Sequence, residues 1–349
     1  MRSRSATLAA ALLAVVLTAC GTGTGPASSP TSSAPATPAT PAAPTARQPA
    51  PPLRDGHLAW VAVSVATLWR SPSSPRAVDA PALTRPVQLG KWLSAMTLAE
   101  RRGLNGRADT QALLGDRVRV LHLQQGWAQV VVPGQPTPLD RRGYPGWVPR
   151  RQLTAVRPVS TPRVATVTAR TAWLRTDTTA ARPLLRISFG TDLPIVGVTP
   201  KSVRVHLPTG AVRRIARSAV VRHDRGTPAL TPTRASLVEQ AESFTGLDYL
   251  WAGASGFGVD CSGLTSLAYR VHGIRIPRDA SAQWAAGQPV AHPRRGDLLF
   301  YGDPVHHVAM YAGHGTMVHA PGTGESVQVV PTSTQPYSDE YVGPRRLLP

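Results

Sequence analysis

The sequence predicts an α+β chain in which two small β-barrels precede a domain of mixed helices and strands. Two blocks of short β-like runs, separated by Gly and Pro turns, predict the barrels at residues 57–155 and 161–225. From residue 230 to residue 349, helical periodicity is followed by strand-like alternation, which predicts the mixed domain. A chain of 349 residues has room for these three domains after a leader segment.

Residues 1–20 predict an export signal. Arg2 and Arg4 precede a mostly apolar run from Ala6 to Leu17, which is too short to span a bilayer. Leu17-Thr18-Ala19-Cys20 resembles the lipobox of bacterial lipoproteins, which implies a diacylated Cys20 and an extracytoplasmic protein anchored to the outer face of the cell membrane. The alternative is an ordinary secretory signal with an incidental cysteine.

Residues 21–52 predict a disordered tether. This segment consists of Pro, Ala, Ser, Thr and Gly with almost no large apolar residue, so it cannot bury a core. We expect it to hold the folded domains away from the membrane surface.

The two β-like blocks share a weak internal repeat. The first block contains three β-like runs and a turn-rich ending: 60–65, 117–121, 127–132 and 143–149. A more helical insertion from Lys91 to Arg102 interrupts it. The second block contains four runs: 164–167, 184–187, 192–198 and 202–207. Thr67-Leu68-Trp69-Arg70 in the first block is echoed by Ala172-Trp173-Leu174-Arg175 in the second.

The third domain is predicted to carry Cys261 at the start of a helix. An earlier helix begins after Thr233, a predicted N-cap, and runs to Phe244. Residues 253–258 form a glycine-rich loop ahead of Cys261, and helical spacing follows it at Leu264, Leu267, Ala268 and Val271. The unpaired N–H groups and the dipole at a helix start favour a thiolate, which is the nucleophilic form. The alternative is a small buried cysteine that opens a core helix.

Two later strand-like runs each supply a histidine. Period two groups His307 with Ala309, and His319 with Met317, so both histidines could face the helix that bears Cys261. A cysteine nucleophile needs a base and a group that orients the base. A helix with Cys followed by strands with His and a third polar group is the papain-like order. His306 is the alternative base, and a hydrogen-bonded core histidine is the alternative for His319. Three further histidines without a partner pattern are predicted on the surface: His272, His292 and His314.

The segment from residue 246 to about residue 331 resembles the NlpC-type cell-wall cysteine peptidases. The resemblance is carried by these segments in order: Tyr249-Leu250-Trp251-Ala252-Gly253, Asp260-Cys261-Ser262-Gly263-Leu264, Pro277-Arg278-Asp279 with Gln283, Arg295-Gly296-Asp297-Leu298, His307-Val308-Ala309-Met310-Tyr311 and Val318-His319-Ala320-Pro321. It implies a papain-like domain with Cys261 as nucleophile, His307 as base and His319 as the orienting residue. Ala252 departs from the glycine that is usual in the family. Both β-like blocks resemble the bacterial SH3-like barrels attached to such peptidases.

The resemblance implies a substrate: peptidoglycan stem peptides, cut between γ-D-glutamate and a diamino acid. Family positions make Tyr249, Asp260 and Ser262 a pocket for a free α-amino group, with Tyr144 of the first barrel closing the substrate end. The pocket implies short fragments with a free amino end. The alternatives are an endopeptidase of intact wall and a non-catalytic wall-binding module. Residue by residue, the alternatives are a loop cap for Asp260, a capping hydroxyl for Ser262, cleft lining for Tyr249 and barrel core for Tyr144.

The net charge of the chain and the spacing of its possible metal ligands limit which partners it is expected to bind. The net charge of +19, from 38 basic and 19 acidic residues, is almost all arginine because Lys91 and Lys201 are the only lysines. A basic exported protein suits an anionic wall or lipid headgroups, and export argues against nucleic acid as the partner. No His, Cys and carboxylate cluster has the spacing of a metal site, so no metal or other cofactor is predicted.

Overall fold

The computed structural model describes residues 51–348. The predicted signal segment with Cys20, and nearly all of the predicted tether, lie outside the described residues. Two all-β domains precede a domain of helices packed on a sheet, which confirms the predicted fold class. Within residues 51–348, no helix combines the length and the apolar character that crossing a membrane requires.

The first β domain, barrel 1, is a seven-stranded antiparallel sheet in the order β3-β2-β6-β5-β4-β1-β7. Its strands are β1 (Leu58–Val61), β2 (Val65–Trp69), β3 (Ala108–Leu113), β4 (Arg117–Gln124), β5 (Trp127–Val132), β6 (Tyr144–Pro149) and β7 (Leu153–Thr154), with a 3₁₀ turn at Arg150–Gln152. Alternation in β4 buries Val118 and Val120 between exposed arginines, the period expected of a strand with one face in the core.

A helical insertion between β2 and β3 covers one side of barrel 1. It contains a 3₁₀ helix (Ala77–Leu83), α1 (Leu89–Ala95) and α2 (Leu98–Arg102). The Trp92 indole N–H donates to the buried Asp79 carboxylate at 2.8 Å, and Arg76 donates to the same carboxylate at 2.8 Å. The Trp92 ring lies 6.1 Å from that of Trp69, so the insertion packs directly on the barrel core.

The second β domain, barrel 2, repeats the topology of barrel 1. Its strands are β8 (Arg163–Val167), β9 (Thr171–Arg175), β10 (Pro183–Ser188), β11 (Asp192–Val198), β12 (Ser202–His206), β13 (Val212–Ala216) and β14 (Val220–Asp224), with a 3₁₀ turn at Arg217–Ala219. The order β10-β9-β13-β12-β11-β8-β14 matches that of barrel 1 strand for strand. The two segments of the predicted internal repeat, 67–70 and 172–175, lie at equivalent strands, β2 and β9.

The third domain packs α3 and α4 on one face of a six-stranded sheet in the order β17-β22-β18-β19-β20-β21. Its helices are α3 (Arg234–Glu242), α4 (Cys261–Val271) and α5 (Ala280–Ala286). Its strands are β15 (Ala254–Ser255), β16 (Gly258–Val259), β17 (Gln288–Pro289), β18 (Leu298–Tyr301), β19 (His307–Gly313), β20 (Thr316–His319), β21 (Gln328–Pro331) and β22 (Tyr341–Arg346). Thr233 caps α3 as predicted, since its hydroxyl accepts the Ser236 N–H at 3.1 Å.

Both barrels contact the third domain around α4. Arg270 of α4 donates to both oxygens of Asp116 in barrel 1, at 2.5 and 3.1 Å. In barrel 2, the Ser188 hydroxyl accepts the Gly256 N–H of the glycine loop at 2.9 Å. The nucleophile helix is therefore held from two sides.

Candidate active site

Cys261 is the first residue of α4, and Asp260 caps this helix. The Asp260 carboxylate accepts the Gly263 backbone N–H at 2.7 Å, which is the usual N-cap arrangement. Gly263 has no room for a side chain, because a Cβ there would lie 2.0 Å from the Gly253 carbonyl oxygen. The sequence Asp-Cys-Ser-Gly thus seats the helix start against the glycine loop, with Cys261 as a free, buried thiol.

The sulfur of Cys261 lies at backbone N–H groups. The N–H groups of Val308, the residue after His307, and of Ser262 lie close enough to lower the pKa of the thiol. Cys261 therefore meets the sheet where β19 begins. The N–H of Cys261 itself has no acceptor within residues 51–348. A free N–H at a helix start can stabilise the oxyanion that forms when a thiolate attacks a carbonyl.

His307 and His319 form a hydrogen-bonded pair. The Nε2 atom of His307 lies 3.1 Å from Nδ1 of His319, and both side chains are buried. The sequence analysis expected both histidines on the face of the sheet that packs against the helix bearing Cys261, and this expectation is wrong. Alternation places them with Tyr301 and Met317 on the other face, while Val308 packs toward the helices. His307 is the first residue of β19 and directly precedes Val308, whose N–H lowers the pKa of the Cys261 thiol.

Gln328 extends the histidine pair into a chain. Its side-chain nitrogen lies 3.4 Å from Nε2 of His319, across the β20–β21 pairing of these two residues. A side-chain amide presents a donor or an acceptor according to its rotation, so Gln328 can serve either tautomer of His319. With His307 donating from Nε2, its Nδ1 atom is left to take the thiol proton.

Burial sets the resting charge of the site. It raises the pKa of Cys261 to about 12, with Asp260 adding to the effect and the Val308 N–H and Arg278 opposing it. Burial also lowers the pKa of His307 to about 3 and that of His319 to about 4. Desolvation of Cys261 therefore opposes the helix start, which favours a thiolate, and desolvation of His307 favours the neutral imidazole. The thiolate expected from the helix N-terminus forms as His307 takes the proton during attack.

Arg278 is fully buried and fastens Asp260 in place. Its guanidinium donates to the two Asp260 carboxylate oxygens at 2.6 and 3.0 Å and to the Ser262 hydroxyl at 2.9 Å. Its Nε donates to the Thr110 hydroxyl of barrel 1 at 2.8 Å. The Asp260 carboxylate, predicted as an anchor for an ammonium group, is thus already paired with a cation in this structure.

The structure brings Tyr144 and Tyr249 to the same region. Tyr144, the first residue of β6, donates its hydroxyl to Asp279 at 3.2 Å, which links barrel 1 to the residue after Arg278. Tyr249 is buried, and burial together with the charges of Cys261 and Asp260 raises the pKa of its phenol. Both phenols therefore stay protonated and can act as hydrogen-bond donors.

Ala252 lies in the left-handed region with φ of 64°. An L-residue with a Cβ is disfavoured there and glycine is not, which explains why glycine is usual at this position. The departure leaves the neighbouring contact intact, since the Ala254 N–H still donates to the Gln111 side chain of barrel 1 at 3.1 Å.

Comparisons with known proteins agree with this architecture. Three domain models match: the NlpC/P60 family over residues 246–346, the YKFC SH3b2 domain over residues 167–221 and the bacterial dipeptidyl-peptidase Sh3 domain over residues 101–153. A gamma-D-glutamyl-L-lysine dipeptidyl-peptidase of Bacillus cereus is 41% identical over 304 residues, which are 83% of this chain and 91% of that protein. The chain belongs to the NlpC/P60 family of cysteine peptidases. It is therefore a hydrolase.

Two further matches each cover more than four fifths of this chain. A gamma-D-glutamyl-L-lysine dipeptidyl-peptidase of Bacillus subtilis is 34% identical over 293 residues, which are 81% of this chain and 96% of that protein. The crystal structure of an NlpC/P60 family protein from Bacillus cereus superposes with a TM-score of 0.80 at 40% identity. That match covers 84% of this chain and all of the other.

Sequence reasoning missed four contributors to this site: Arg278, Asp279, Gln328 and Tyr337, whose ring lies against both His307 and His319. Arg278 and Asp279 were visible as part of a motif, but their pairing with Asp260 and Tyr144 depends on the fold. Gln328 has a weak signal, since it is the one polar residue of a short apolar strand. Tyr337 has none, because it lies in an irregular segment before β22. Within residues 51–348, no group of three or more His, Cys, Asp or Glu could hold a metal ion.

Proposed function

We propose that this NlpC/P60 peptidase hydrolyses the bond between γ-D-glutamate and the diamino acid of peptidoglycan stem peptides, and that it acts on short fragments with a free amino end. Two relatives matched over most of their length are named for a γ-D-glutamyl-L-lysine dipeptidyl-peptidase activity. Removal of a dipeptide requires a negative charge that can hold an α-ammonium at a fixed distance from the nucleophile.

The ion pairing of three carboxylates near barrel 1 supports this proposal. Asp109 pairs with Arg70 at 2.8 Å, and Asp260 pairs with Arg278 at 2.6 Å. Asp279 has no ion-pair partner within residues 51–348. Burial raises the pKa of Asp279, the charge of neighbouring Arg278 and the Tyr144 hydroxyl oppose this rise in part, and the charges of Asp260 and Asp109 add to it. An α-ammonium beside Asp279 would balance the third carboxylate and lower that pKa again.

The remaining residues of the pocket follow from this placement. Tyr144 already donates to Asp279 and would close the end of the cleft beyond the α-ammonium. Ser262, the residue after Cys261, and Tyr249, whose pKa responds to Cys261, would bind the dipeptide backbone. Asp260 acts through Arg278 and the helix cap rather than as a free anchor.

The reaction follows from Cys261 and the histidine pair. The sulfur attacks the γ-carbonyl carbon while Nδ1 of His307 takes the thiol proton. His307 then gives this proton to the amine of the diamino acid, which leaves as the C–N bond breaks. Water, deprotonated by His307, attacks the thioester carbon. The C–S bond then breaks, the dipeptide leaves as a carboxylic acid, and His307 returns the proton to the Cys261 sulfur. His319 holds His307 in orientation throughout.

The test compares L-Ala-γ-D-Glu-L-Lys and L-Ala-γ-D-Glu-meso-diaminopimelate, each with a free and an acetylated amino end. We expect mass spectrometry to show L-Ala-D-Glu from the free peptides only, and Asp279→Asn to raise KM for them. Equal cleavage of acetylated peptides or of intact wall would instead identify an endopeptidase. Hydrolysis that survives Cys261→Ala would refute the cysteine mechanism.

We also propose that the protein is exported and anchored by a lipid on Cys20. The lipobox-like Leu17-Thr18-Ala19-Cys20 and the Pro- and Ala-rich segment after it support this location. Mass spectrometry of the membrane fraction should find an amino-terminal peptide that begins at acylated Cys20, and Cys20→Ser should move the protein out of that fraction. A mature amino terminus elsewhere would contradict the anchor.

A further inference from the structure

Tyr337 contacts both histidines of the catalytic pair. Its ring centroid lies 4.9 Å from that of His307 at an interplanar angle of 33°, and 4.7 Å from that of His319 at 87°. The same ring lies 5.6 Å from Tyr301. One residue of an irregular segment between β21 and β22 thus stacks against one imidazole and meets the other edge to face.

The Tyr337 hydroxyl is not engaged by the protein. It has no hydrogen-bond partner within residues 51–348, and the side chain is only half-buried. Burial raises the pKa of this phenol to about 12, and the charges of Glu325, Cys261 and Glu340 add to the rise. The hydroxyl therefore stays protonated near Cys261, and the contact with the histidines is made by the ring alone.

Few charged groups face the histidine pair. The groups that contact the pair are Tyr301 of β18, Gln328 of β21 and Tyr337, and His306 directly precedes His307. Tyr341 of β22 lies against Tyr301 rather than against either histidine. Glu340 pairs with His306 at 3.3 Å, and within residues 51–348 no carboxylate forms an ion pair with His307 or His319. Water is therefore what the pair would meet if the Tyr337 ring were removed.

We propose that Tyr337 is a positioning residue whose ring keeps water from the His307–His319 pair and holds the two imidazoles at right angles. The interplanar angle between these imidazoles is 82°. The inference rests on the proposed roles of Cys261 and His307, and it does not depend on which peptide is the substrate. The Tyr337 hydroxyl has no part in it.

Removing the ring should change how the pair titrates. Burial is the largest cause of the low pKa of both His307 and His319. Entry of water would raise each pKa toward the ordinary 6.5 of histidine. A protonated His307 cannot accept the thiol proton, so the acid limb of Cys261 reactivity should move to higher pH.

The experiment follows alkylation of Cys261 by iodoacetamide as a function of pH, read by peptide mass spectrometry so that Cys20 is counted separately. The acid limb is the pH range in which the alkylation rate falls as the pH is lowered. In Tyr337→Ala we expect its midpoint to rise by about one pH unit, which makes alkylation at a given pH below the midpoint about tenfold slower. Tyr337→Phe should behave as wild type, because it keeps the ring. Tyr341→Ala is the matched control, since Tyr341 contacts Tyr301 at 5.6 Å and neither histidine.

An unchanged limb in Tyr337→Ala, or an equal shift in Tyr341→Ala, would overturn the proposal. A second measurement needs no destabilising variant: exchange of the imidazole C2 hydrogens in wild type and Tyr337→Phe. We expect slow exchange at His307 and His319 and fast exchange at His306, whose side chain is 62% exposed. Exchange at His307 as fast as at His306 would also refute the shielding. Neither readout uses the peptide substrate, so failure here is separable from failure of the proposed cleavage.

Discussion

Replacement of Arg278 by methionine should leave the Asp260 carboxylate, at the start of the nucleophile helix, without its cationic partner. The guanidinium is 2% exposed and makes two hydrogen bonds to Asp260, one to Ser262 and one to Thr110. Removing one partner of a buried ion pair costs about 3–5 kcal/mol, because the other charge is left unpaired. Methionine fills a similar volume and adapts its shape, so the cost should be electrostatic rather than a cavity.

A double variant separates charge from packing. Adding Asp260→Asn to Arg278→Met removes the stranded charge, while the asparagine oxygen can still cap Gly263. We therefore expect urea unfolding to show that the double variant recovers about 2 kcal/mol of what Arg278→Met loses. A loss below about 1 kcal/mol in Arg278→Met, or additive losses in the double variant, would refute the argument that Asp260 depends on Arg278.

The same variants report on Cys261. The charge of Arg278 lowers the pKa of the Cys261 thiol and that of Asp260 raises it. Arg278→Met should therefore slow alkylation of Cys261 at neutral pH, and the double variant should restore part of the rate. Arg278→Lys is the matched control, because it keeps the charge but not the planar fork that pairs with a carboxylate. It should lose stability while it keeps most of the thiol reactivity.

Three further predictions test the surroundings of the site. Asp116→Asn should lower the free energy of unfolding by about 1–2 kcal/mol in urea, because it breaks the partly buried pair with Arg270; an unchanged midpoint would mean that barrel 1 docks without this pair. Gln328→Leu should lower kcat by about tenfold with KM unchanged, since His319 loses its outer partner; a change confined to KM would contradict an orienting role. Stability should fall as the pH drops from 6.5 through about 4 to about 3, because unfolded histidines bind protons that buried His307 and His319 do not; His307→Asn should show a smaller drop in melting temperature, and an equal drop would contradict this origin.

Local signals in the sequence were enough for the helix starts and for the barrel repeat. Asp260 precedes a helical stripe and caps α4, and the two repeat segments lie at equivalent strands. The motif order pointed to Cys261, His307 and His319, and the structure pairs the two histidines. Such features depend on neighbours in the chain or on short motifs, which a sequence displays directly.

The electrostatics of the site could not be predicted, because burial is a property of the whole fold. A helix start favours a thiolate, yet desolvation of Cys261 raises the pKa of its thiol and opposes that preference. His272 was expected on the surface, but it is buried with Ser236 at 2.7 Å and the Ala268 carbonyl at 2.6 Å. Asp260 and Arg278 pair across 18 positions of sequence with no local pattern that links them.

The contacts of barrel 1 bear on whether it binds wall or shapes the cleft, a choice that the sequence left open. A wall-binding module on a linker would leave the polar groups of the catalytic domain satisfied without it. Here the Trp251 indole N–H donates to the Ala108 carbonyl of barrel 1 at 2.9 Å. The Arg278 backbone N–H donates to Pro136 at 3.0 Å, and its Nε donates to Thr110 at 2.8 Å. Each of these donors would lose its acceptor if barrel 1 were removed, and water would have to replace it. Barrel 1 is therefore a structural part of the active site, and its loss should disturb Arg278 and the helix start before it affects any binding of wall.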